Sequence, residues 1–256
     1  MSLNLISTGV AVQLYTLRDF LKTPQEIAQT LRKVKQIGYS AVELAGLGKI
    51  EAGELAAMLR GEGLSCCGFH VPMERLRADP REVMADLRLW NCSLLAVPGC
   101  WGKTLTDFEK FALELSALAE QFAAAGMRLG YHNHSHEFVR HDGRAPLNLL
   151  LEKLSPKAWF EIDTYWIAHG GGDPIQWIGK VAGRIPCVHL KDMAIDSDGK
   201  QFMAEVGEGN LNWPGILAAC HAAGTQWMVV EQDVCRRDPF ESVAMSLKNL
   251  RGMGLD

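Results

Sequence analysis

The stretch TGVAVQLYTLRD, from Thr8 to Asp19, opens with an apolar run and continues into a polar segment that contains no glycine. A doubly wound open sheet usually carries a glycine-rich phosphate-binding turn directly after its first strand. A closed parallel barrel needs no such turn, and its strands are buried on both faces, so they read as continuous apolar runs. The stretch therefore favours a closed barrel over an open sheet.

The rest of the chain repeats this alternation of a short apolar run and a longer segment with helical spacing of its apolar residues. Strands are predicted at residues 8–14, 40–45, 65–71, 93–97, 127–132, 158–163, 185–190 and 226–231. Helices are predicted at residues 24–37, 51–62, 80–90, 107–125, 146–154, 174–181, 213–223 and 239–251. Eight such units without a flexible linker predict an α/β fold, a (β/α)8 TIM barrel that forms a single domain over residues 1–256.

Cap residues mark several of these helices. Four helices are expected to begin with an N-cap residue followed by proline at the first helical position, at Thr23-Pro24, Asp79-Pro80, Asp173-Pro174 and Asp238-Pro239. Three glycines are expected to end helices, at Gly38, Gly126 and Gly224.

Composition narrows the class of partner. The 256 residues are 48% hydrophobic with a formal charge of −4, so no basic field is available for a nucleic-acid backbone. The seven cysteines show no CxxC spacing, and the adjacent Cys66 and Cys67 lie in an apolar segment, so reduced, buried thiols are expected. No stretch approaches the roughly 20 apolar residues of a membrane span, and the segment MSLNLISTGVAV lacks the pattern of a signal peptide. We expect a cytoplasmic protein with a small-molecule partner and no membrane contact.

Polar residues cluster at the carboxyl ends of the predicted strands, where the functional site of a parallel barrel lies. At least six of the eight strands end in carboxylates or imidazoles; with the amide of Gln13, the polar ends are Gln13, Glu43, His70, His132 with His134, Asp163 with Glu161, His189 with Lys191, and Glu231 with Asp233. Singly, His70 is as well explained as a hydrogen-bonded core histidine, and Glu43 as the partner of a cation across the barrel mouth. Together they indicate one convergent site, because each buried charge costs several kcal/mol unless it is paired or bound to metal.

A divalent metal ion would explain part of this cluster. Asp163, His189 and Glu231 end three successive strands. With one ligand from the fifth strand they would form a mixed oxygen and imidazole sphere, suited to one Mn, Mg, Co or Zn ion. The fifth-strand segment MRLGYHNHSHEF, residues 127–138, offers three histidines and one glutamate for this role.

Seven segments of the chain, in order from about Thr8 to Leu250, resemble the xylose isomerase-like (β/α)8 family of sugar phosphate isomerases and epimerases. They are GVAVQLYTLRD, VELAG, GYHNHSHEF, EIDTYW, VHLKD, EVGEG and VVEQD. The resemblance implies a metal held by Asp163, His189, Glu231 and a residue of the fifth strand.

The fifth-strand ligand is open between three residues. Many relatives carry glutamate at the strand end where this chain has His132, and Glu137 follows five residues later. The resemblance favours Glu137 as the ligand, because the family site carries two or three carboxylates. His132 and His134 are alternatives for the ligand, or contacts to the substrate.

The resemblance also bears on the substrate. Trp166 stands where some relatives have a histidine, and its aromatic face is of the kind that stacks on sugar C–H surfaces. The substrate-binding set is predicted to be Gln13, Glu43, His70, His132, His134 and Trp166. DNA-repair endonucleases of the same superfamily need several zinc ions and more ligands than this sequence provides, so the expected substrate is a carbohydrate.

The predicted reaction begins with removal of a proton next to a carbonyl, which requires a carboxylate base on one face and an acid or second base on the other. Glu231 is the first candidate base, with Glu137 opposite it. Lys191 polarises the carbonyl or holds an anionic group, unless it pairs with Glu161 or Asp163. The sequence thus predicts a metal-dependent sugar isomerase or epimerase. The alternatives are a lyase or dehydratase acting on a 3-keto-glycoside or inosose-type cyclitol, and a non-catalytic sugar-binding barrel.

Two loops and two tryptophans complete the expectations. Residues 204–213, AEVGEGNLNW, are expected to turn so that their backbone approaches the ligand. Residues 169–174, HGGGDP, could cradle a phosphate but are better explained as a flexible loop. Trp90 and Trp101 lie near loops or helix ends, so homo-oligomer formation is expected.

Overall fold

The structure is a computed structural model that describes residues 8–255. The predicted domain also includes residues 1–7 and 256, which lie outside the described residues. The described strands are β1 (Gly9–Gln13), β2 (Ala41–Leu44), β3 (Ser65–Phe69), β4 (Leu94–Val97), β5 (Arg128–His132), β6 (Trp159–Asp163), β7 (Cys187–Leu190), β8 (Asp192–Ile195), β9 (Gln201–Ala204) and β10 (Trp227–Val230).

Eight of these strands pair in parallel in the order β3-β2-β1-β10-β7-β6-β5-β4. The sheet nearly closes on itself, because His70 bridges to Ala96 beyond the end of β3 and the Val71 N–H donates to the Ala96 carbonyl at 3.0 Å. β8 and β9 form a separate antiparallel hairpin after β7. The prediction of an eight-stranded parallel barrel is confirmed.

Helices cover the outside of the barrel. They are α1 (Pro24–Ile37), α2 (Ala52–Glu62), α3 (Met73–Ala78), α4 (Pro80–Leu89), α5 (Leu105–Ala124), α6 (Pro146–Lys153), α7 (Thr164–His169), α8 (Pro174–Lys180), α9 (Trp213–Ala223) and α10 (Pro239–Gly252), with short 3-10 helices at Leu14–Phe20 and His136–Phe138. None of the described helices is both long and apolar enough to cross a membrane.

The expected caps are present. Thr23 and Glu26 form a reciprocal capping box at the start of α1, and the carboxylates of Asp79, Asp173 and Asp238 each accept backbone N–H groups of the helix that follows. Gly38 and Gly224 end α1 and α9 in the left-handed conformation, and Gly126 follows the end of α5 with φ of 77°. These local signals mark the starts of α1, α4, α8 and α10 and the ends of α1, α5 and α9.

The indole rings of two tryptophans fill the barrel interior near the amino-terminal ends of the strands, where they face small residues. Trp159 on β6 and Trp227 on β10 point inward beside Gly130 and Gly9. A Cβ atom on Gly130 would lie 2.5 Å from the Trp159 ring, and one on Gly9 would lie 2.3 Å from the Trp227 ring. Glycine is therefore needed at both positions for packing. Because these apolar residues fill one end of the barrel interior, polar side chains can gather only at the other end, where the carboxyl ends of the strands lie.

The cysteines and tryptophans test two further expectations. All seven cysteines are free, and six of them, including Cys66 and Cys67, are buried, as expected.

The sequence suggested Trp90 and Trp101 as contacts for self-association. Trp90 is buried and donates its Nε1–H to the Ala52 carbonyl at 3.1 Å, so it is not available for such a contact. Trp101 is 72% exposed.

Candidate functional site

A cavity of about 800 Å³ opens where the carboxyl ends of the barrel strands meet. The part of it that lies over the barrel interior, called the inner arm below, is lined by His70, His132, His134, Lys191, Glu231 and Asp233. Side chains two residues apart on a strand share a face, and this is why each strand delivers its last inward residue to the same place.

Four side chains from four adjacent strands converge beneath the inner arm. One ligand atom each from His132, Asp163, His189 and Glu231 fall within 4.8 Å of one another. His189 Nδ1 lies 2.9 Å from Glu231 Oε2 and 3.8 Å from Asp163 Oδ2, and His132 Nε2 lies 3.3 Å from Asp163 Oδ2. His189 Nδ1 and Glu231 Oε2 are buried and face each other without hydrogen-bond geometry, and Lys191 Nζ lies 2.7 Å from the same Glu231 oxygen. Two imidazoles and two carboxylates that converge in this way fit a divalent cation.

Glu137 lies outside the group formed by Asp163, His189 and Glu231, the three residues predicted with it as metal ligands. Its Oε1 accepts the Tyr131 hydroxyl proton at 2.5 Å, and its Oε2 accepts the His134 N–H at 2.9 Å. Tyr131 points away from the barrel interior because it alternates with inward-pointing His132, and the 3-10 helix at residues 136–138 folds Glu137 onto that outer side. Glu137 has no exposed surface, and burial raises its pKa to about 8. The structure thus brings His132, and not Glu137, to Asp163, His189 and Glu231.

A second layer of charged groups lies deeper in the barrel. The Nε2 atom of His189 is 2.6 Å from Glu43 Oε2, which also accepts the Gln13 amide at 2.9 Å. Room for this carboxylate comes from Gly68, where a Cβ atom would lie 2.4 Å from Glu43 Oε1. With Nε2–H donating to Glu43, the Nδ1 atom of His189 faces Glu231 and Asp163 as a possible ligand.

His70 is held in the same layer by Glu161. Its Nε2 lies 2.5 Å from Glu161 Oε2 and 3.8 Å from Glu43 Oε2. Burial lowers the pKa of His70, but the two carboxylates together raise it above its ordinary value. The imidazole of His70 can therefore hold a proton near neutral pH while lining the cavity.

Lys191 is the buried cation of the inner arm. Its Nζ lies 3.0 Å from Asp163 Oδ2, 2.7 Å from Glu231 Oε2 and 2.7 Å from Asp233 Oδ2. Burial opposes its charge, but these carboxylates hold the pKa of Lys191 well above its usual value. Burial raises the pKa of Glu231 as well, yet Lys191 and His189 hold the pKa of this carboxyl well below its usual range. Burial raises the pKa of Asp163 to about 6.

Aromatic rings surround His134 at the cavity mouth. The ring centroid of His134 lies 5.5 Å from that of Trp101 and 5.4 Å from that of Trp166. Trp166 also lies 5.8 Å from Lys191 Nζ, and it is not among the residues that line the cavity. His136 donates to the Cys100 carbonyl at 2.8 Å and stacks on Trp101.

The residues predicted from the sequence fall into two sets. Those that line the cavity are His70, His132, His134, Lys191 and Glu231. Those that lie behind its wall are Gln13, Glu43, Glu137, Asp163, Trp166 and His189. The sequence offered Glu161 only as a strand-end residue and a partner for Lys191, and Asp233 only as a strand-end residue; in the structure Glu161 contacts His70, and Asp233 contacts Lys191.

The loop at residues 204–213 folds around Asp192, a residue that the sequence did not single out. The carboxylate of Asp192 accepts the N–H groups of Gly207 and Gly209 at 2.9 and 3.0 Å and the indole N–H of Trp213 at 2.5 Å. No residue from 204 to 213 is among those that line the cavity. The expected approach of this backbone to the ligand is therefore not seen.

The chain is similar in sequence to two known proteins. The rhizopine catabolism protein MocC of Rhizobium meliloti is 26% identical over an alignment of 270 positions that covers 90% of this chain and 82% of that protein. The inosose dehydratase of Geobacillus thermodenitrificans is 28% identical over 155 positions, 54% of this chain and 51% of that protein, so the alignment spans about half of each.

Solved structures extend the likeness. A sugar phosphate isomerase/epimerase of Parabacteroides distasonis superposes with a TM-score of 0.80 at 22% identity, covering 98% of this chain and 96% of the other. At this identity the likeness shows the fold alone.

The family match covers most of the chain: residues 31–251 match the xylose isomerase-like TIM barrel family. The chain therefore belongs to the xylose isomerase-like TIM barrel family.

Proposed function

We propose that this protein is a divalent-metal-dependent isomerase or epimerase that removes a proton next to a carbonyl of a keto-sugar or related polyol. The observation that carries the proposal is the convergence of His132, Asp163, His189 and Glu231 beside Lys191 under one cavity. Members of the family and the similar proteins described above include isomerases, epimerases and dehydratases, whose reactions can start from such a proton abstraction.

The metal would be held by His132, Asp163, His189 and Glu231. When bound, the ion supplies Lewis-acid polarisation of the substrate carbonyl and stabilises the negative charge that develops as the neighbouring carbon loses its proton. Glu43 orients His189 for this role by accepting its Nε2–H. The closed, buried surroundings of the four side chains keep water from competing for these positions.

Glu231 is the proposed base. Its pKa is held below the usual range, so it is ionised at neutral pH, and it lines the cavity while remaining 4% exposed. Lys191 contacts Glu231 and Asp163 and, from the same wall, can polarise the carbonyl oxygen. Epimerisation or protonation of the opposite face needs a second group across the mouth.

His70 fits this second role better than Glu137. Glu137 does not line the cavity, and both of its oxygens are already engaged by Tyr131 and His134. His70 lines the cavity from β3, across the barrel from β10, and its link to Glu161 favours its protonated form. We therefore assign proton donation to His70.

Dehydration is the second candidate function. It begins with the same proton removal, and the departing hydroxide then takes a proton from an acid on the opposite wall, for which His70 is placed. The similarity to an inosose dehydratase, over about half of each chain, favours this alternative for a cyclitol ketone.

The test is proton exchange observed by NMR. Protein loaded with Mg²⁺ or Zn²⁺, which are diamagnetic, is incubated in deuterated water with ketoses, keto-glycosides and inososes. We expect deuterium at the carbon next to the carbonyl together with an isomeric product; an eliminated product would instead identify the dehydratase. Glu231→Gln should lower the exchange rate by roughly 10²-fold or more, since it removes the base.

Glu208→Gln is the matched control. Glu208 lies outside the cavity, where its Oε1 accepts the Asn249 amide at 2.9 Å, and the same substitution there should leave exchange unchanged. Ligand binding without any exchange would show that the protein is a sugar-binding barrel and would refute the proposal.

A further inference from the structure

The cavity has a second part that the proposed chemistry does not use. This outer arm is lined by Phe69 at the end of β3 and by Leu47, Ile50, Arg75, Asp86 and Trp90 from the segments that follow β2 and β3, with Lys49, Glu51 and Glu82 exposed around it. It is continuous with the inner arm, and the two meet at the end of β3, where Phe69 and His70 are consecutive residues. The total of about 800 Å³ lies toward the upper end of the range for ligand pockets, far more than one sugar ring fills.

Part of the wall of the outer arm is apolar and aromatic. Phe69 and Trp90 pack edge to face with ring centroids 5.2 Å apart, and both are less than one-tenth exposed. Leu47 and Ile50 are half-buried and complete this surface from the loop before α2. Such a surface binds a planar or aliphatic group by burial of apolar area and by C–H contact with rings.

The charges of the outer arm argue against an anionic substituent there. Three carboxylates and two cationic side chains line it: Glu51, Glu82 and Asp86, with Lys49 and Arg75. Arg75 is already hydrogen-bonded to Asp86 and lies 5.7 Å from the Phe69 ring centroid. Lys191 contacts three carboxylates, and Lys49 is exposed at the rim. A phosphate in the outer arm would meet more negative than positive charge.

We propose that the outer arm is a subsite for an uncharged group attached through oxygen to the reacting ring, so that the substrate is a glycoside or ether and not a free sugar or a phosphate ester. This inference rests on the proposed function for the position of the reacting ring. It adds the substrate class: the ring that loses its proton lies over Glu231, and the attached group extends past His70 to Leu47 and Trp90.

Binding of ligands that cannot react tests the subsite separately from the catalytic proposal. Phenyl glycosides of glucose, galactose and mannose, their 1,5-anhydroalditol counterparts and the 6-phosphates of those alditols contain no carbonyl. Calorimetric titration of the metal-loaded protein should show at least one phenyl glycoside binding about tenfold or more tightly than its anhydroalditol. The 6-phosphates should bind no more tightly than the anhydroalditols.

Variants of Leu47 locate the effect. Leu47→Trp fills the outer arm and should remove the tenfold gain while leaving anhydroalditol affinity within about twofold. Leu47→Ala cannot block the outer arm. It should reduce the extra affinity for the phenyl glycoside, because the phenyl group loses its contact with the leucine side chain. Leu113→Trp, on the exposed surface of α5 where Leu113 is 71% exposed, should change neither affinity.

Three results would overturn the subsite. They are phenyl glycosides that bind no tighter than the anhydroalditols, phosphates that bind tightest, and a gain that survives in a folded Leu47→Trp protein. Each of these can occur whether or not the protein exchanges protons, so failure of the subsite and failure of the proposed function remain distinguishable.

Discussion

His189 links the two buried layers of the site. Its Nε2 is 2.6 Å from Glu43, whereas its Nδ1 faces Glu231 at 2.9 Å. A carboxylate that accepts one ring N–H fixes the tautomer and the direction of the other nitrogen, which is how ligating histidines are commonly oriented. Gly68 makes this possible, because any side chain there would displace Glu43.

His132 and Glu137 give opposite expectations for metal affinity. His132→Gln should weaken binding by about tenfold or more, because Nε2 lies among the four converging ligands. Glu137→Gln should change affinity by less than about threefold, since its carboxylate contacts Tyr131 and His134 outside that group. Titrations of both variants and the wild type under one buffer and pH measure the difference.

The reverse order of affinities would return the ligand role to Glu137. Equal affinities in both variants and the wild type would mean that neither His132 nor Glu137 is a ligand. His134→Gln serves as a further reference, since His134 lines the cavity but does not belong to the group of four.

The sequence could name Asp163, His189 and Glu231 because strand-end positions follow from alternation. It could not choose between His132 and Glu137, because the choice depends on how the chain turns after β5. The 3-10 helix at residues 136–138 turns Glu137 onto the outer side of β5, where it contacts Tyr131, and this turn does not follow from residue spacing. Residue spacing likewise does not show that Trp166 packs beside His134, with ring centroids 5.4 Å apart.

Among the elements, those with strong local signals were predictable. The eight barrel strands were located to within about two residues at each end, a normal uncertainty for such boundaries, and the capped helices began at their prolines. The short α3 and α7 and the β8–β9 hairpin were not predicted. Each has at most six residues, which is too short for a helical or alternating pattern to be distinguished from a loop.

The packing of β5 against β6 yields a prediction about stability. Gly130→Ala should lower the free energy of unfolding by about 1–3 kcal/mol, because the added Cβ would lie 2.5 Å from the Trp159 ring inside the barrel. The matched control is Gly179→Ala in α8, where a Cβ meets nothing within 4 Å, and which should be neutral or stabilising by up to about 1 kcal/mol. Urea denaturation of both variants measures this, and equal effects would contradict the packing argument.

At the level of the whole molecule, the barrel places a charged layer above an apolar plug. Glu43, Glu161, Asp163 and His189 are all completely buried, and Lys191 is 1% exposed. Buried carboxylates cost several kcal/mol unless they are compensated. Lysine and histidine offset part of this charge here, and a bound cation would offset more. Folding stability and metal binding are therefore expected to be coupled.

Thermal unfolding with and without metal tests that coupling. At about 100 times its dissociation constant, the ion should stabilise the wild type by about 2.7 kcal/mol. For a chain of this size that is a rise in Tm of several degrees, reversed by a chelator. Asp163→Asn should lose most of this rise, although the amide oxygen can still cap α7 at the Trp166 N–H. Asp238→Asn, the same change at the cap of α10, should keep it, because Asn and Asp cap helices about equally well and Asp238 lies outside the cavity. If Tm rises equally in both variants, Asp163 is not a metal ligand. If metal does not raise the Tm of the wild type, the charge of the buried carboxylates is offset by Lys191 and the histidines alone.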